Sequence, residues 1–149
     1  MGKRFLSFLF IFFSIISFCL TGCASAKDTS EVNNSPENCA MVYYFHGNFR
    51  CSNCYRIEQY TKEAIEQYFN NELSSGKLIF KPVNTDKKQN QHFLTDYQLY
   101  TRSVVVSLVK DGKEIKYENL VGVWDYLRDE TQFFNYIRDE VNKYLKELE

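Results

Sequence analysis

The chain has 149 residues, of which 44% are hydrophobic and 17% are aromatic, and its formal net charge is −1. This length and apolar content are sufficient for one globular domain with a hydrophobic core. The near balance of 18 basic and 19 acidic residues excludes the strongly basic character typical of nucleic-acid-binding proteins, so we expect no nucleic-acid partner.

The N-terminus has the features of an export signal. Lys3 and Arg4 precede an apolar run over residues 5–18, which is short for a bilayer span but has the length of a signal-peptide core. The sequence LTGC follows and resembles the lipobox of bacterial lipoproteins. This resemblance implies cleavage before Cys23 and acylation of its sulfur. We therefore expect an exported protein anchored to a bacterial cell membrane by lipid on Cys23, the alternative being an uncleaved signal anchor.

The chain is expected to have three segments: a signal peptide at 1–22, a lipid-anchored flexible tether at 23–38, and a folded domain at 39–149. The tether is small and polar, with one proline and no aromatic residue. Such a composition buries too little apolar area to become ordered. Export also places the thiols of the domain in a compartment where they tend to oxidise.

The domain is predicted to contain strands and helices in the order β-α-β-α-β-β-α. The predicted elements are a strand at 41–46, a helix at 51–73, a strand at 77–83, a short helix at 91–99, strands at 103–110 and 113–119, and a last helix that begins near Asp129. The run SVVVSLVK is typical of a strand buried on both faces, and Asp111-Gly112 predicts a hairpin turn. After that turn, Ile115 and Tyr117 alternate with charged residues, which predicts one apolar face.

This order predicts an α/β domain with a mixed four-stranded sheet flanked by helices. The first β-α-β unit gives parallel strands joined by a right-handed crossover, and the hairpin adds an antiparallel pair. This is the core order of the thioredoxin fold. Cys51 falls where the first strand's loop enters the first helix, which is the expected position of a redox Cys-x-x-Cys pair.

The sequence leaves three roles open for Cys51 and Cys54. In a redox pair, the helix N-terminus, aided by Arg50, would stabilise the Cys51 thiolate, and the more buried Cys54 would resolve the mixed disulfide. In a zinc site, Cys39 and His46 would complete a Cys₃His ligand set, although a second Cys-x-x-Cys pair is missing. A purely structural disulfide would gain little stability from closing so short a loop. The redox pair is the leading hypothesis, and we expect no bound metal.

His46 and Cys39 also have ordinary structural explanations. His46 stands five residues before Cys51 and could pass a proton, but we favour a hydrogen-bonded residue at a strand end. Cys39 could be a third redox thiol, and we favour a small buried apolar residue at the start of a strand.

The domain resembles the thioredoxin superfamily over residues 40–148. YYFHGNFRCSNC resembles the family's strand, loop and Cys-x-x-Cys segment, and SVVVSLVKDGKE resembles its strand and hairpin. The resemblance implies thiol–disulfide exchange with a redox partner protein. It also implies that Cys51 is the nucleophile and Cys54 the resolving thiol.

The sequence departs from the thioredoxin pattern at the position of the family's cis-proline. Counting back from the hairpin turn places Ser103 and Val104 there, which makes them the candidate substrate-facing residues. We expect a trans bond between them, because a cis bond at a residue other than proline costs about 3–4 kcal/mol. Tyr44 replaces the buried acid of thioredoxins, and the first helix lacks their kinking proline.

A narrower resemblance is to a small thioredoxin-like family named as a subunit of nitrophenyl-compound nitroreductases and linked with resistance to aromatic arsenicals. The segments that carry it are YYFHGNFRCSNC, DYQLYTRSVVVSLVKDGKE and FFNYIRDEVNKYL. It implies delivery of electrons toward a nitroaromatic arsenical. The sequence has no flavin-binding motif, and we expect no cofactor. The competing functions are a lipoprotein that binds a thiophilic metal or metalloid through Cys39, Cys51 and Cys54, and a docking protein with a permanent disulfide.

Overall fold

A computed structural model describes residues 37–149. The predicted signal peptide, Cys23 and all but the last two residues of the tether lie outside this range. The strands are β1 (Cys39–His46), β2 (Leu78–Asn84), β3 (Ser103–Lys110) and β4 (Lys113–Asn119). The helices are α1 (Ser52–Tyr68), α2 (Asn70–Ser75), α3 (His92–Asp96) and α4 (Glu130–Leu145), with 3₁₀ turns at Lys88–Asn90, Val121–Val123 and Lys146–Leu148. No helix within residues 37–149 has the length and apolar character needed to cross a membrane.

The four strands form one mixed sheet in the order β2-β1-β3-β4. β1 pairs in parallel with β2 and antiparallel with β3, and β3 forms an antiparallel hairpin with β4. The two central strands, β1 and β3, are nearly continuous apolar runs because both of their faces are covered. The predicted α/β fold, with its mixed four-stranded sheet flanked by helices, is therefore confirmed.

The two faces of the sheet carry separate hydrophobic clusters. On one face, residues of β1 and β3 such as Val42 and Val106 pack with Ile57 of α1 and Ile137 of α4. The other face carries a smaller cluster, in which Phe45 of β1 packs with aromatic residues of the segment that includes α3, such as Phe93 and Tyr97. Because alternate residues of a strand point to opposite faces, neighbours such as Tyr44 and Phe45 contribute to different clusters.

The hairpin at the end of β3 matches the sequence prediction residue for residue. Asp111 and Gly112 both have positive φ, at 51° and 70°, which is the conformation of a type I′ turn. The turn also holds the chain just before β1: Gly112 N donates to Glu37 O at 2.9 Å, and Asp111 N donates to Asn38 Oδ1 at 3.2 Å. The chain thus enters β1 beside the hairpin.

Two predicted features of the helices and strands are wrong. The helix predicted at 51–73 is interrupted at Phe69, whose backbone leaves the helical region while its ring is buried in the core. The predicted apolar face of β4 is not buried, since Ile115 and Tyr117 are both exposed on this edge strand. Asp129 caps α4, as its predicted place at the start of the last helix suggests, because its Oδ1 accepts from Gln132 N at 3.0 Å.

Candidate active site

The fold places Cys51 at the N-cap of α1, immediately after the loop that leaves the C-terminal end of β1. Its backbone is extended, with φ −87° and ψ 167°, so the helix begins at Ser52. Cys51 is joined by a disulfide to Cys54 in the first helical turn, and their Cα atoms are 5.0 Å apart. Cys51 is exposed, whereas Cys54 is only 2% exposed. The two sulfurs therefore differ in access to a reaction partner.

The Cys51 sulfur also serves as the cap of the helix. Cys51 Sγ accepts a hydrogen bond from Cys54 N at 3.3 Å. The first turn of α1 carries no acidic residue, so its partial positive charge is not opposed there. In the reduced protein, a helix N-terminus in this position favours a thiolate on Cys51.

Tyr44, predicted from the resemblance to replace the buried acid of thioredoxins, lies beneath the first turn of α1. Its hydroxyl is fully buried and donates to Cys54 O at 2.6 Å. Burial raises the pKa of Tyr44 above its usual value, an effect that the nearby Arg50 partly opposes. The group is therefore a neutral hydrogen-bond donor that fixes the backbone of Cys54.

Arg50 makes its contacts on the α1 side of the loop. Its guanidinium carbon lies 4.4 Å from the centre of the Tyr55 ring and 5.6 Å from that of Tyr44. The guanidinium also forms an ion pair with Glu58, on the next turn of α1 after Cys54. Sequence reasoning missed Glu58, although its spacing of four residues from Cys54 places both on one side of the helix.

His46, a predicted possible modulator of the cysteine pair, lies at the end of β1. Its Nδ1 lies 2.9 Å from Gly47 O, so the tautomer with a proton on Nδ1 donates to that carbonyl. Its ring stacks on that of Tyr44, with centroids 5.8 Å apart. These contacts assign His46 a structural place at the end of β1.

Cys39 lies far from the other two cysteines. It begins β1, whose eight residues end at His46. Residues 47–50, the active-site loop, then lead to Cys51. At about 3.3 Å per residue, β1 separates its ends by about 23 Å. Cys39 is fully buried, and burial raises the pKa of its thiol. Neither a Cys₃His zinc site nor a three-thiolate site with Cys51 and Cys54 can form, and no group of three His, Cys, Asp or Glu side chains within residues 37–149 is placed to hold a metal ion.

Ser103 and Val104, the predicted substrate-facing residues, have buried side chains, so only their backbone could meet a substrate. Both side chains lie in the interior, where Val104 pairs with Tyr44 of β1 and Ser103 Oγ donates to Thr101 O at 3.1 Å. The bond between them is trans, like every other peptide bond of residues 37–149. Counting from the hairpin could not give the direction of these side chains. Tyr100 and Thr101, just before this segment, are both exposed, Tyr100 at 95%.

A cavity of about 330 Å³ lies beside the active-site loop. Its lining includes Phe49 and Tyr100, of which Phe49 is 78% exposed. Arg102 also lines it and ties two loops together, since its Nη2 donates to Phe49 O at 2.8 Å. Trp124 Nε1 donates to Arg102 O at 3.2 Å, which fixes the same segment from the other side. Exposed aromatic side chains thus line a cavity next to the loop that precedes Cys51.

The comparisons with known proteins concern the fold. No family model matches the sequence, and no curated protein matches it. The structure is similar to that of Fasciola hepatica thioredoxin, with 20% identity and a TM-score of 0.42, over 71% of this chain and 81% of that one. For oxidised thioredoxin from Plasmodium falciparum the identity is 14% and the TM-score 0.42, over 70% and 83% of the two chains.

A thioredoxin from Thermus thermophilus has 17% identity and a TM-score of 0.41, over 68% of this chain and 73% of that one. Identities this low carry no functional inference to this chain. Its own strand order and directions, with Cys51 at the junction of β1 and α1, are those predicted for the thioredoxin core. The described part of the chain therefore has a thioredoxin-like α/β fold.

Proposed function

We propose that this protein is a thiol–disulfide oxidoreductase in which Cys51 attacks and Cys54 resolves. The observation that carries this proposal is the asymmetry of the pair: an exposed sulfur caps α1, and its bonded partner is buried one turn further along. A purely structural disulfide has no need of an exposed sulfur at a helix N-terminus. Exchange requires one, because the attacking atom must meet a second disulfide in line.

The exchange proceeds in two steps. The reduced Cys51 thiolate attacks one sulfur of a substrate disulfide, and the other substrate sulfur leaves as a thiolate that takes a proton from solvent. The Cys54 thiol then loses its proton and attacks Cys51 Sγ, which releases the second substrate thiol and forms the Cys51–Cys54 disulfide. Two electrons pass from the protein to the substrate, and a dithiol donor must return them to complete a cycle.

A redox partner protein fits this site better than a small disulfide would. Phe49 and Tyr100 are exposed beside the cavity next to the active-site loop, and Trp124 lies against the same segment. Exposed aromatic side chains of this kind are enriched where proteins meet. We therefore include a polypeptide partner in the proposal.

The test is dithiothreitol-dependent reduction of a protein disulfide by the full chain. We expect Cys51→Ser to abolish the activity and Cys39→Ser to retain it, since Cys39 lies at the other end of β1. Cys54→Ser should accumulate a mixed disulfide on Cys51, which mass spectrometry would detect. Activity of Cys51→Ser equal to that of the unaltered protein would refute the proposal.

We further propose that the domain works at a bacterial membrane surface, exported and anchored by lipid on Cys23. The support is the order of basic residues, apolar run and lipobox in the sequence. Metabolic labelling with a fatty acid should modify the full chain but not a Cys23→Ala variant. Labelling of both to the same extent would exclude lipidation at Cys23.

Electron delivery toward nitroaromatic arsenicals is proposed as the physiological use, on the sequence resemblance alone. In bacteria that carry the protein, its deletion should slow reduction of an added nitrophenyl arsenical. Complementation with Cys51→Ser should fail to restore the rate, whereas Cys39→Ser should restore it. An unchanged rate after deletion would remove this part of the proposal.

A further inference from the structure

The Arg50–Glu58 ion pair beside the disulfide has no part in the exchange steps above. Resting on the proposed redox function, we propose that Glu58 is a positioning residue that sets the reduction potential of the Cys51–Cys54 pair. It does so by binding Arg50 and opposing the cationic stabilisation of the Cys51 thiolate. A site without this carboxylate would be a stronger oxidant.

The first support is the way Arg50 is held. Although it directly precedes Cys51, its guanidinium is packed over the Tyr55 ring at 4.4 Å and paired with Glu58. The two charged side chains are only 17% and 25% exposed, so solvent screens the pair incompletely. The positive charge of Arg50 is thereby compensated before it can act fully on a neighbouring thiolate.

The second support is the position of Glu58 on α1. It follows Cys54 by four residues, so the two side chains lie on one side of the helix, one turn apart. A carboxylate on the side of the helix that carries the disulfide disfavours a thiolate there. Glu58 therefore acts in the same direction twice, by neutralising Arg50 and by its own charge.

Glu58 is the carboxylate paired with Arg50, and a second carboxylate, Asp86, lies against the loop before Arg50, where its Oδ2 accepts from Asn48 N at 2.6 Å. Tyr44, on β1, is neutral and donates to Cys54 O, and Tyr55 presents its ring to Arg50. Arg102, before β3, donates to Phe49 O and forms no ion pair within the described range 37–149. His46 faces its own backbone neighbour, Gly47. Replacing Glu58 by a neutral residue would therefore leave the positive charge of Arg50, next to Cys51, without its ion-pair partner.

The link to redox potential is a general one. Stabilising the nucleophilic thiolate stabilises the reduced dithiol form of the pair. The corresponding disulfide is then a stronger oxidant. Glu58→Gln keeps the size of the side chain and removes its charge. We expect it to lower the pKa of the Cys51 thiol and to shift the equilibrium with glutathione toward the dithiol by about threefold to tenfold. That change corresponds to a rise in potential of about 15–30 mV, since a tenfold change in this two-electron equilibrium is about 30 mV.

The variants are compared in the full chain by two measurements: the equilibrium with glutathione, and the pH dependence of Cys51 alkylation. Glu66→Gln is the matched control, because Glu66 lies on the same helix in an exposed pair with Lys62 and the change removes the same charge. Glu58→Asp retains the charge and should stay within about twofold of the unaltered protein. Arg50→Gln should shift both readouts in the opposite direction from Glu58→Gln.

A potential for Glu58→Gln equal to that of Glu66→Gln would overturn the inference, as would a shift toward a weaker oxidant. Thermal unfolding would show whether Glu58→Gln still folds. If it does not, the inference is tested with Glu58→Asp and Arg50→Gln instead. An unchanged potential in Arg50→Gln would then overturn the inference. Both readouts measure the disulfide itself and need no substrate protein. Absence of exchange activity in the unaltered protein would thus refute the proposed function without touching the effect of Glu58.

Discussion

Alkylation of the reduced protein should modify Cys51 well before Cys54 and Cys39. At the N-cap of α1, Cys51 gains about 0.3–2 kcal/mol of thiolate stabilisation from the helix N-terminus. That corresponds to about twofold to thirtyfold more thiolate at a pH below the ordinary thiol pKa, because about 1.4 kcal/mol is a factor of ten. Cys51 is also exposed, whereas Cys54 is 2% exposed and Cys39 is fully buried.

Burial adds to this difference in ionisation. Cys54 and Cys39 can meet a reagent only when the structure opens locally, and burial raises the pKa of the Cys39 thiol in addition. We therefore expect Cys51 to react with iodoacetamide at least about tenfold faster than either at slightly acidic pH. The assay is quenched-flow alkylation followed by peptide mass spectrometry.

The same assay in strong denaturant is the control, because the three thiols should then react within about threefold of one another. Faster modification of Cys54 than of Cys51 in the folded protein would show that Cys51 is not the nucleophile. Faster modification of Cys39 would contradict its burial at the start of β1. Either result would refute the reasoning from helix position and exposure.

Three further outcomes are expected from denaturant unfolding. Tyr44→Phe should lower the unfolding free energy by about 0.5–1.5 kcal/mol, since it removes the hydrogen bond to Cys54 O; an unchanged stability would contradict that bond. Phe69→Ala should cost about 3–5 kcal/mol, because the ring is buried where α1 ends, and a surface-like loss below 1 kcal/mol would refute this packing. Burial raises the pKa of Tyr144 to about 12, so stability should be retained below pH 10 and fall toward pH 12, and Tyr144→Phe should flatten that fall.

The hairpin was predictable because its signals are local. Asp111-Gly112 specifies a turn by backbone conformation, and the continuous apolar run of β3 specifies a central strand. The position of Cys51 followed equally from the order of a strand, a loop and a helix. These features depend on short stretches of sequence and scarcely on what packs against them.

The errors arose where distant contacts decide the structure. Phe69 interrupts the first helix without a glycine or proline, because its ring is buried in the core. Ile115 and nearly all of β4 stay exposed, although the other edge strand, β2, buries Leu78 and Val83, a difference that the alternation of residues alone could not reveal. The contacts of Arg50 with Glu58 and two tyrosine rings likewise depend on how a loop meets a helix and a strand.

The hydrogen bonds between the hairpin turn and residues Glu37 and Asn38 fix the place where the chain enters the domain. The chain enters at one end of β1, and the disulfide follows the other end, about 23 Å away at the usual rise of a strand. A bead or a chip coupled to the chain ahead of β1 would therefore hold the domain at the end opposite the disulfide. Immobilised in that orientation, the protein should keep Cys51 accessible to partners arriving from solution.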